Sequence, residues 1–202
     1  MARTASPTKH KAAKAASVAK AKAIAPAVPA RIGSTPATKF RGNPAIFGRL
    51  VEDHDKHRAL LAMIEATEPH DPARLTLFDE FVRDVHGHAA AEEQALWSSV
   101  LRNPATTEFA RHAIGDHHKL DKLMADAAAR DLTAPGWLAH FTGLRDEYLD
   151  HILEEETEQF VEAEKTLTDK DQRHMRKVFA RRKKDEKAAA KIEKKIRLKP
   201  VA

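Results

Sequence analysis

Apolar residues recur every three or four positions along the middle of the chain, the spacing that gathers them on one face of an α-helix. Leu60, Leu61 and Ile64 show this spacing in the first such stretch. Prolines fall between the stretches, where they start or stop helices. The pattern predicts four helices, at residues 46–67, 73–101, 104–130 and 137–167. Helices of this length with short connections are typical of an all-α, up-down-up-down four-helix bundle, here over residues 46–167.

The two ends of the chain differ in composition from the predicted bundle. Residues 1–45 are rich in Ala, Lys and Pro and have too little apolar surface to offset the entropy of ordering, so we expect a disordered basic tail. Thr168 and Asp171 have the spacing of a capping box, which predicts a helix start. We expect residues 168–202 to be helical at first and then to fray into a solvated tail rich in Lys and Arg.

Charge divides the chain in the same way. Residues 1–51 contain ten Lys and Arg and no acidic residue, and residues 170–202 contain fourteen against four acidic residues. The segment between them carries a net charge of −15. The basic ends can neutralise phosphates, so weak, non-specific association with nucleic acid is a secondary role. The favoured interpretation is a solvated surface that screens the acidic bundle.

Composition excludes several classes of protein. The 202 residues contain no Cys, which rules out disulfides, thiolate metal ligands and cysteine nucleophiles. No segment approaches the ~20 apolar residues that span a bilayer, so we expect no membrane helix. We expect a cytoplasmic protein of bacterial type. Organellar targeting by the N-terminal segment is the minor alternative, because that segment lacks acids like a transit peptide but is interrupted by prolines.

Residues that can bind a metal occur twice in the chain, at a constant offset of 63 positions. His54 corresponds to His117, and each follows an Asp. The repeat predicts two related hairpins about a pseudo-twofold axis, which places equivalent side chains opposite one another in the bundle centre. The other pairs at this offset include His88 and His151, Glu92 and Glu155, Glu93 and Glu156, Phe78 and Phe141, and Trp97 and Phe160.

Four imidazoles and two carboxylates are thereby directed into the bundle core. His88 and Glu92 are four residues apart and share a helix face, and His151 and Glu155 repeat this arrangement. Left unpaired in the core, these groups are costly, whereas a pair of metal ions bridged by the two Glu satisfies all of them. Imidazole and carboxylate without sulfur suit iron, and suit manganese or zinc less well. The predicted ligands are His54, His88, Glu92, His117, His151 and Glu155.

The alternative explanation, that these His and Glu are ordinary core residues with hydrogen-bond partners, is weaker than the explanation by a metal site. A single His on an apolar face is more often a satisfied core residue than a ligand, but two copies of an HxxxE pair with two further His at one offset favour a metal centre. Glu93 and Glu156 lie about 140° around their helices from the ligand His, so we expect them to face outward. His57 is one turn from His54 and is a candidate to hydrogen-bond a ligand. His86 is two residues from His88 and therefore lies on another face of the helix. We expect five further His on the surface: His10, His70, His112, His140 and His174.

His54, His88-x3-Glu92, His117 and His151-x3-Glu155 together resemble the hemerythrin-like (HHE cation-binding) family, over about residues 46–165. The resemblance implies a four-helix bundle with a non-heme di-iron centre, held by those six residues. Oxygen-carrying hemerythrins have a fifth His where this chain has Asp121, and an Asp where it has Glu156. The pattern is closer to bacterial hemerythrin-like proteins and to the di-iron repair proteins of nitrosative stress, although the cysteine-bearing module of the latter is absent.

Two functions follow from this resemblance. In the first, an open di-iron centre processes peroxide, NO or O2 in the oxidative or nitrosative stress response. In the second, the chain is an iron- or oxygen-binding or sensing module without catalysis. Asp121 in place of a fifth His favours the first, because fewer strong ligands leave an exchangeable position for a small molecule. The oligomeric state has no signature in the sequence.

Overall fold

In a computed structural model of the protein, residues 38–197 are described, with side chains to residue 190, and this part contains helices and no strand. The predictions of a disordered segment at 1–37 and a frayed end at 198–202 lie outside the described residues. The helices are α1 (Ile46–Glu65), α2 (Pro72–Glu92), α3 (Thr107–Ala128), α4 (Trp137–Glu154) and α5 (Asp169–Arg197). The second and fourth continue through π-helical turns, Glu93–Trp97 and Glu155–Gln159, into Ser98–Val100 and Phe160–Lys165.

The first four helices form the predicted up-down-up-down bundle. Both α1 and α3 pack against α2 and α4. Along α1 the residue numbers rise while those of its contacts on α2 fall: His54 contacts His88, and His57, one turn further, contacts Asp84. Neighbouring helices are therefore antiparallel, and the middle of every helix lies at the same level of the bundle.

The third helix begins three residues later than the sequence predicts, at Thr107. The connection before it is held in turns by its own side chains. Asn103 Oδ1 accepts a hydrogen bond from the Ala105 amide at 3.0 Å, and Thr106 Oγ1 donates to the Val100 carbonyl at 2.7 Å. These local bonds compete with helix formation, which explains the shorter helix.

Residues 38–45 pack against the bundle, although the sequence assigns them to the N-terminal tail. Phe40 is buried, with its ring centroid 4.9 Å from that of Phe47 on α1. Gly48 permits this turn, because a Cβ there would overlap the Asn43 carbonyl. The basic tail is therefore shorter than expected at its C-terminal end.

The C-terminal segment is a fifth helix docked on the bundle, and the expectation of a solvated tail is corrected for its described side chains. Thr168 and Asp171 form the predicted capping box, with reciprocal bonds of 3.1 and 3.2 Å from their amides. Met175 and Phe179 are buried against the bundle, where α5 lies on α1 and α2. The apolar positions of α5 are few and are separated by Lys and Arg, so the spacing of apolar residues does not predict that this helix has a buried face.

Two apolar clusters fill the ends of the bundle and leave a polar layer between them. One contains Leu60, Phe81, Trp137 and Phe141, and the other contains Phe47, Trp97, Phe160 and Phe179. Trp97 and Phe160 are fully buried, as the sequence predicts. Among the helices of residues 38–197, none is both long enough and apolar enough to cross a membrane.

Candidate metal centre

Six buried side chains meet in the polar layer between the two apolar clusters. One His each comes from α1 and α3, and an HxxxE pair comes from each of the other two bundle helices. None is more than 5% exposed. They are the six residues that the sequence predicts as ligands: His54, His88, Glu92, His117, His151 and Glu155.

Glu155 lies between the two halves of this layer. Its Oε2 is 3.3 Å from His54 Nε2, and its Oε1 is 3.5 Å from His151 Nε2. The potential ligand atoms of His54, His88 and Glu155 lie within 4.8 Å of one another, and so do those of His117, His151 and Glu155. One carboxylate therefore faces two groups of imidazoles, as a bridging ligand does.

Glu92 occupies the corresponding position in the other hairpin. Its Oε2 is 3.5 Å from His88 Nε2 and also 3.5 Å from His117 Nε2. Like Glu155, it contacts one imidazole from each group. The two carboxylates thus link the same two potential metal positions.

The residues present fit a pair of metal ions. Among the described residues, none of the four carboxylate oxygens of Glu92 and Glu155 has a hydrogen-bond partner, although both side chains are fully buried. Buried carboxylates without partners are costly, and cations placed between them and the imidazole nitrogens remove that cost. Nitrogen and oxygen donors without sulfur suit iron, manganese or zinc.

Electrostatics within the layer point the same way. Burial lowers the pKa of His117, but Glu92 and Glu93 outweigh burial and raise that pKa to about 10. Burial likewise lowers the pKa of His54, and its two glutamate neighbours raise it to about 9. Without a metal, both imidazoles therefore carry protons at neutral pH. A metal ion has to displace those protons, since it binds neutral imidazole.

Glu93 and Glu156 face ligand histidines, so the expectation that they point outward is wrong. His54 Nδ1 donates to Glu156 Oε1 at 2.9 Å, and His117 Nδ1 donates to Glu93 Oε1 at 2.8 Å. A bundle helix has neighbours on two sides, so a side chain turned away from the axis still reaches the adjacent helix. The π-helical turns that contain both glutamates are a form often found at functional sites.

Two aspartates complete an outer ring around the ligands. His88 Nδ1 lies 3.2 Å from Asp53 Oδ2, and His151 Nδ1 lies 3.5 Å from Asp116 Oδ2. Each aspartate directly precedes the ligand His of the neighbouring helix, at the same 63-residue offset. Carboxylates against Nδ1 fix the ring orientation and leave Nε2 free for a metal. All four ligand imidazoles have a carboxylate within 3.5 Å of Nδ1, and at His151 this is an ion-pair contact without a hydrogen bond.

His57 contacts the centre without a hydrogen bond to a predicted ligand. Its Nδ1 is 2.5 Å from the Tyr148 hydroxyl, and its Nε2 is 3.1 Å from Asp84 Oδ2. Its ring packs edge-on against His88, with centroids 5.4 Å apart. Burial lowers the pKa of His57 to about 3, so it is neutral and can accept from Tyr148 while it donates to Asp84.

Two positions outside the layer lie at the surface, and one of them, His86, is on a different face from His88, as the sequence predicts. His86 pairs with Asp121 at 3.1 Å, and both side chains are about half exposed. Asp121, which stands where oxygen carriers have a fifth His, therefore faces away from the centre. It supplies no ligand in this conformation.

Three neighbours of the centre are missed by the sequence analysis. Arg58 on α1 is fully buried, with Nη2 2.7 Å from Glu156 Oε1. Lys183 on α5 is buried in an ion pair with Asp53, and the Phe179 ring packs edge-on against His88 at 5.5 Å. No motif marks these residues, because Phe179 and Lys183 belong to a segment rich in Lys and Arg and Arg58 is a single residue outside the repeated pattern.

Comparison with known proteins agrees with this geometry. The sequence matches the model of the family described as Hemerythrin HHE cation binding domain, over residues 45–163. No curated protein and no solved structure matches the chain. Since the matched region covers more than half of the chain and contains the whole candidate centre, the protein belongs to the hemerythrin HHE cation-binding domain family.

Proposed function

We propose that this chain holds two iron ions and uses them for chemistry on a small molecule in the oxidative or nitrosative stress response. The proposed ligands are His54, His88, Glu92, His117, His151 and Glu155, with the two glutamates as bridges. The observation that supports the proposal is the pair of buried carboxylates that lack hydrogen bonds and face imidazoles of both halves. When bound, a di-iron pair supplies redox chemistry toward O2, H2O2 or NO.

The protein residues orient the ligands and leave room for a small molecule. An outer carboxylate lies within 3.5 Å of every Nδ1, which favours an orientation of each ring with Nε2 toward the centre. Four imidazoles and two carboxylates are fewer donors than two iron ions accept, which leaves positions for an exchangeable ligand. Asp121 fills none of them. The apolar clusters on either side keep the layer away from bulk water.

Metal analysis after expression in iron-replete medium tests the site. We expect two iron ions per chain, and we expect His88→Ala or His151→Ala to lose metal. His86→Ala is the matched control, because His86 is two residues from His88 but pairs with Asp121 at the surface. An iron content near zero that does not rise on anaerobic addition of Fe(II) would exclude the proposal.

Spectra of the reduced protein separate catalysis from binding or sensing. The protein is exposed in turn to O2, H2O2 and NO. Rapid peroxide consumption, or conversion of NO, supports the enzyme. A stable and reversible oxygen band supports a binding or sensing module, the alternative function. We also propose a cytoplasmic location, which fractionation of the source cells tests.

A second proposed role, non-specific nucleic-acid binding, is favoured by the outer face of α5. Five exposed cations follow one another at intervals of three and four residues: Lys170, Arg173, Lys177, Arg181 and Lys184. This spacing aligns them in a basic stripe about 21 Å long, opposite the face that packs on the bundle. A row of evenly spaced cations can contact successive phosphates of a nucleic-acid strand. Five such contacts make the binding affinity strongly dependent on salt concentration.

Binding to a random-sequence DNA duplex tests the stripe. We expect affinity to fall by roughly two to three orders of magnitude between 50 and 200 mM salt. Reversal of Arg173, Lys177 and Arg181 to Glu should abolish binding at low salt. Reversal of Arg111, Lys119 and Lys122, three exposed cations of α3, changes net charge equally and should weaken binding less. Equal losses in the two variants would exclude a specific role for the stripe.

A further inference from the structure

The outer carboxylates of the first half of the centre are neutralised by buried cations. Asp53, which contacts His88, forms an ion pair with Lys183 of α5 and a second one with Arg49 at 2.7 Å. The Lys183 side chain is only 4% exposed and also lies 3.4 Å from Asp84. Burial lowers the pKa of Lys183, and both of these carboxylates oppose that shift. The Lys183 ammonium group is thus separated from the His88 imidazole by the Asp53 carboxylate alone.

The glutamate of the first half is neutralised in the same way. Glu156, which contacts His54, pairs with Arg58 at 2.7 Å, and both side chains are fully buried. Every carboxylate that supports the His54 and His88 imidazoles therefore has its own cation.

The second half has the same carboxylates without such cations. Asp116 faces His151, and its other ion-pair partner among the described residues is His112, whose side chain is 53% exposed. Glu93 is 36% exposed, and its ion pair within the described part of the chain is with the ligand His117. Within the described part of the chain, no buried Lys or Arg lies beside these two carboxylates.

The fifth helix is one source of this difference, and Arg58, whose repeat equivalent is Asp121, is another. Arg49 has a repeat equivalent, since His112 stands 63 positions later. Lys183 has none, because α5 lies outside the repeat and packs on α1 and α2. The helix reaches the first half twice, through Lys183 on Asp53 and through the Phe179 ring on His88.

We propose that the two metal positions bind with unequal affinity, that the His117–His151 position fills first, and that Lys183 is the positioning residue that weakens the His54–His88 position. This inference rests on the proposed metal centre. A carboxylate that accepts a hydrogen bond from Nδ1 makes Nε2 a stronger electron-pair donor to a metal. A cation paired with that carboxylate reduces this increase in donor strength. The same cation repels a divalent metal through a medium of low dielectric constant.

Stepwise titration of the metal-free chain with Co(II), followed by calorimetry and by cobalt absorption, tests the inference. We expect two steps whose dissociation constants differ by at least about tenfold, within the range of outer-ligand effects. Ligand variants assign the steps. His88→Ala should keep the tighter step, and its repeat equivalent His151→Ala should keep the weaker one. Two equal steps in the unmodified chain would overturn the inference while leaving the metal centre in place.

Replacement of the lysine tests its role. Lys183→Met keeps the length of the side chain and should tighten the weaker step by about tenfold, with a change in the cobalt spectrum of that step. Lys184→Met removes an equal charge from the exposed face and should change neither step. An unchanged ratio in Lys183→Met would overturn the role of the lysine. If that variant does not fold, the paired His variants still decide the inequality. Absence of any Co(II) uptake by the unmodified chain would instead overturn the proposed function.

Discussion

The two hairpins of this bundle carry the same chemical groups in different surroundings. Each supplies two imidazoles and one bridging glutamate to the inner layer, and one aspartate and one glutamate to the outer ring. The carboxylates beside His54 and His88, which are Glu156 and Asp53, are buried, whereas those beside His117 and His151, which are Glu93 and Asp116, are partly exposed. Metal chemistry therefore explains what the hairpins share, and packing explains how they differ.

Replacement of the bridging glutamates should have the largest effect, and it should be the same in both hairpins. Glu92→Gln and Glu155→Gln each remove a carboxylate that faces imidazoles of both halves. We expect either variant to lose both metal ions, measured as metal content after dialysis. Loss of one ion in one variant and of two in the other would break the equivalence of the two glutamates.

The outer aspartates should reveal the difference between the hairpins in stability. Asp53→Asn leaves Lys183 with a weakened buried partner, so we expect the free energy of unfolding to fall by about 3–5 kcal/mol. Asp116→Asn removes a partly exposed carboxylate, and we expect a loss below about 1 kcal/mol. Urea denaturation with a chelator present measures both. Equal losses would show that α5 does not bury Asp53 in solution.

Acid–base behaviour should again be shared between the hairpins, since His54 and His117 are repeat equivalents. Their pKa values are raised to about 9 and about 10, above the value of roughly 6.5 in the unfolded chain. Their contribution to the stability of the metal-free protein is therefore fully present below pH 6.5 and is lost as pH rises through 9 to 10. Metal uptake at pH 7 should release about two protons, seen as a buffer-dependent heat of binding. Uptake without proton release would contradict these shifts.

The smallest effect is expected at Asp121. Its side chain pairs with His86 at the surface, so Asp121→Asn should change the free energy of unfolding by no more than about 0.5 kcal/mol. Metal content should stay at the level of the unmodified chain. A loss of metal in this variant would mean that Asp121 turns toward the centre when the ions are bound.

The inner layer was predictable because spacing along the chain determines it. The HxxxE pairs and the 63-residue offset required a bundle whose helices bring equivalent positions together, and all six predicted residues lie in one buried layer. The same offset relates Asp53 to Asp116 and Glu93 to Glu156. Angles around a helix predict which side chains face the bundle axis, and on that basis Glu93 and Glu156 are expected to face solvent. The angles do not show that a neighbouring helix lies beside those two side chains.

The docking of α5 on the bundle could not be predicted from the sequence, for a different reason. Among the side chains of α5 that the structure describes, the buried ones are Met175 and Phe179, which are large and apolar, and Gln172 and Lys183, which are polar. A lysine in a basic segment is ordinarily solvated, and only the tertiary partner Asp53 makes Lys183 a buried one. Local composition contains no information about such a partner.

The position of α5 outside the ligand-bearing helices has a consequence for local unfolding. All six proposed ligands precede residue 156, so α5 supplies none of them and packs on the bundle as a separate layer on α1 and α2. A peripheral helix can open locally while the rest of the fold stays intact, so the ligands can remain in place when α5 is undocked. In that state His88 and Asp53 lack the ring and the ammonium group that cover them. Docking of α5 therefore increases the difference between the two halves, and undocking decreases it.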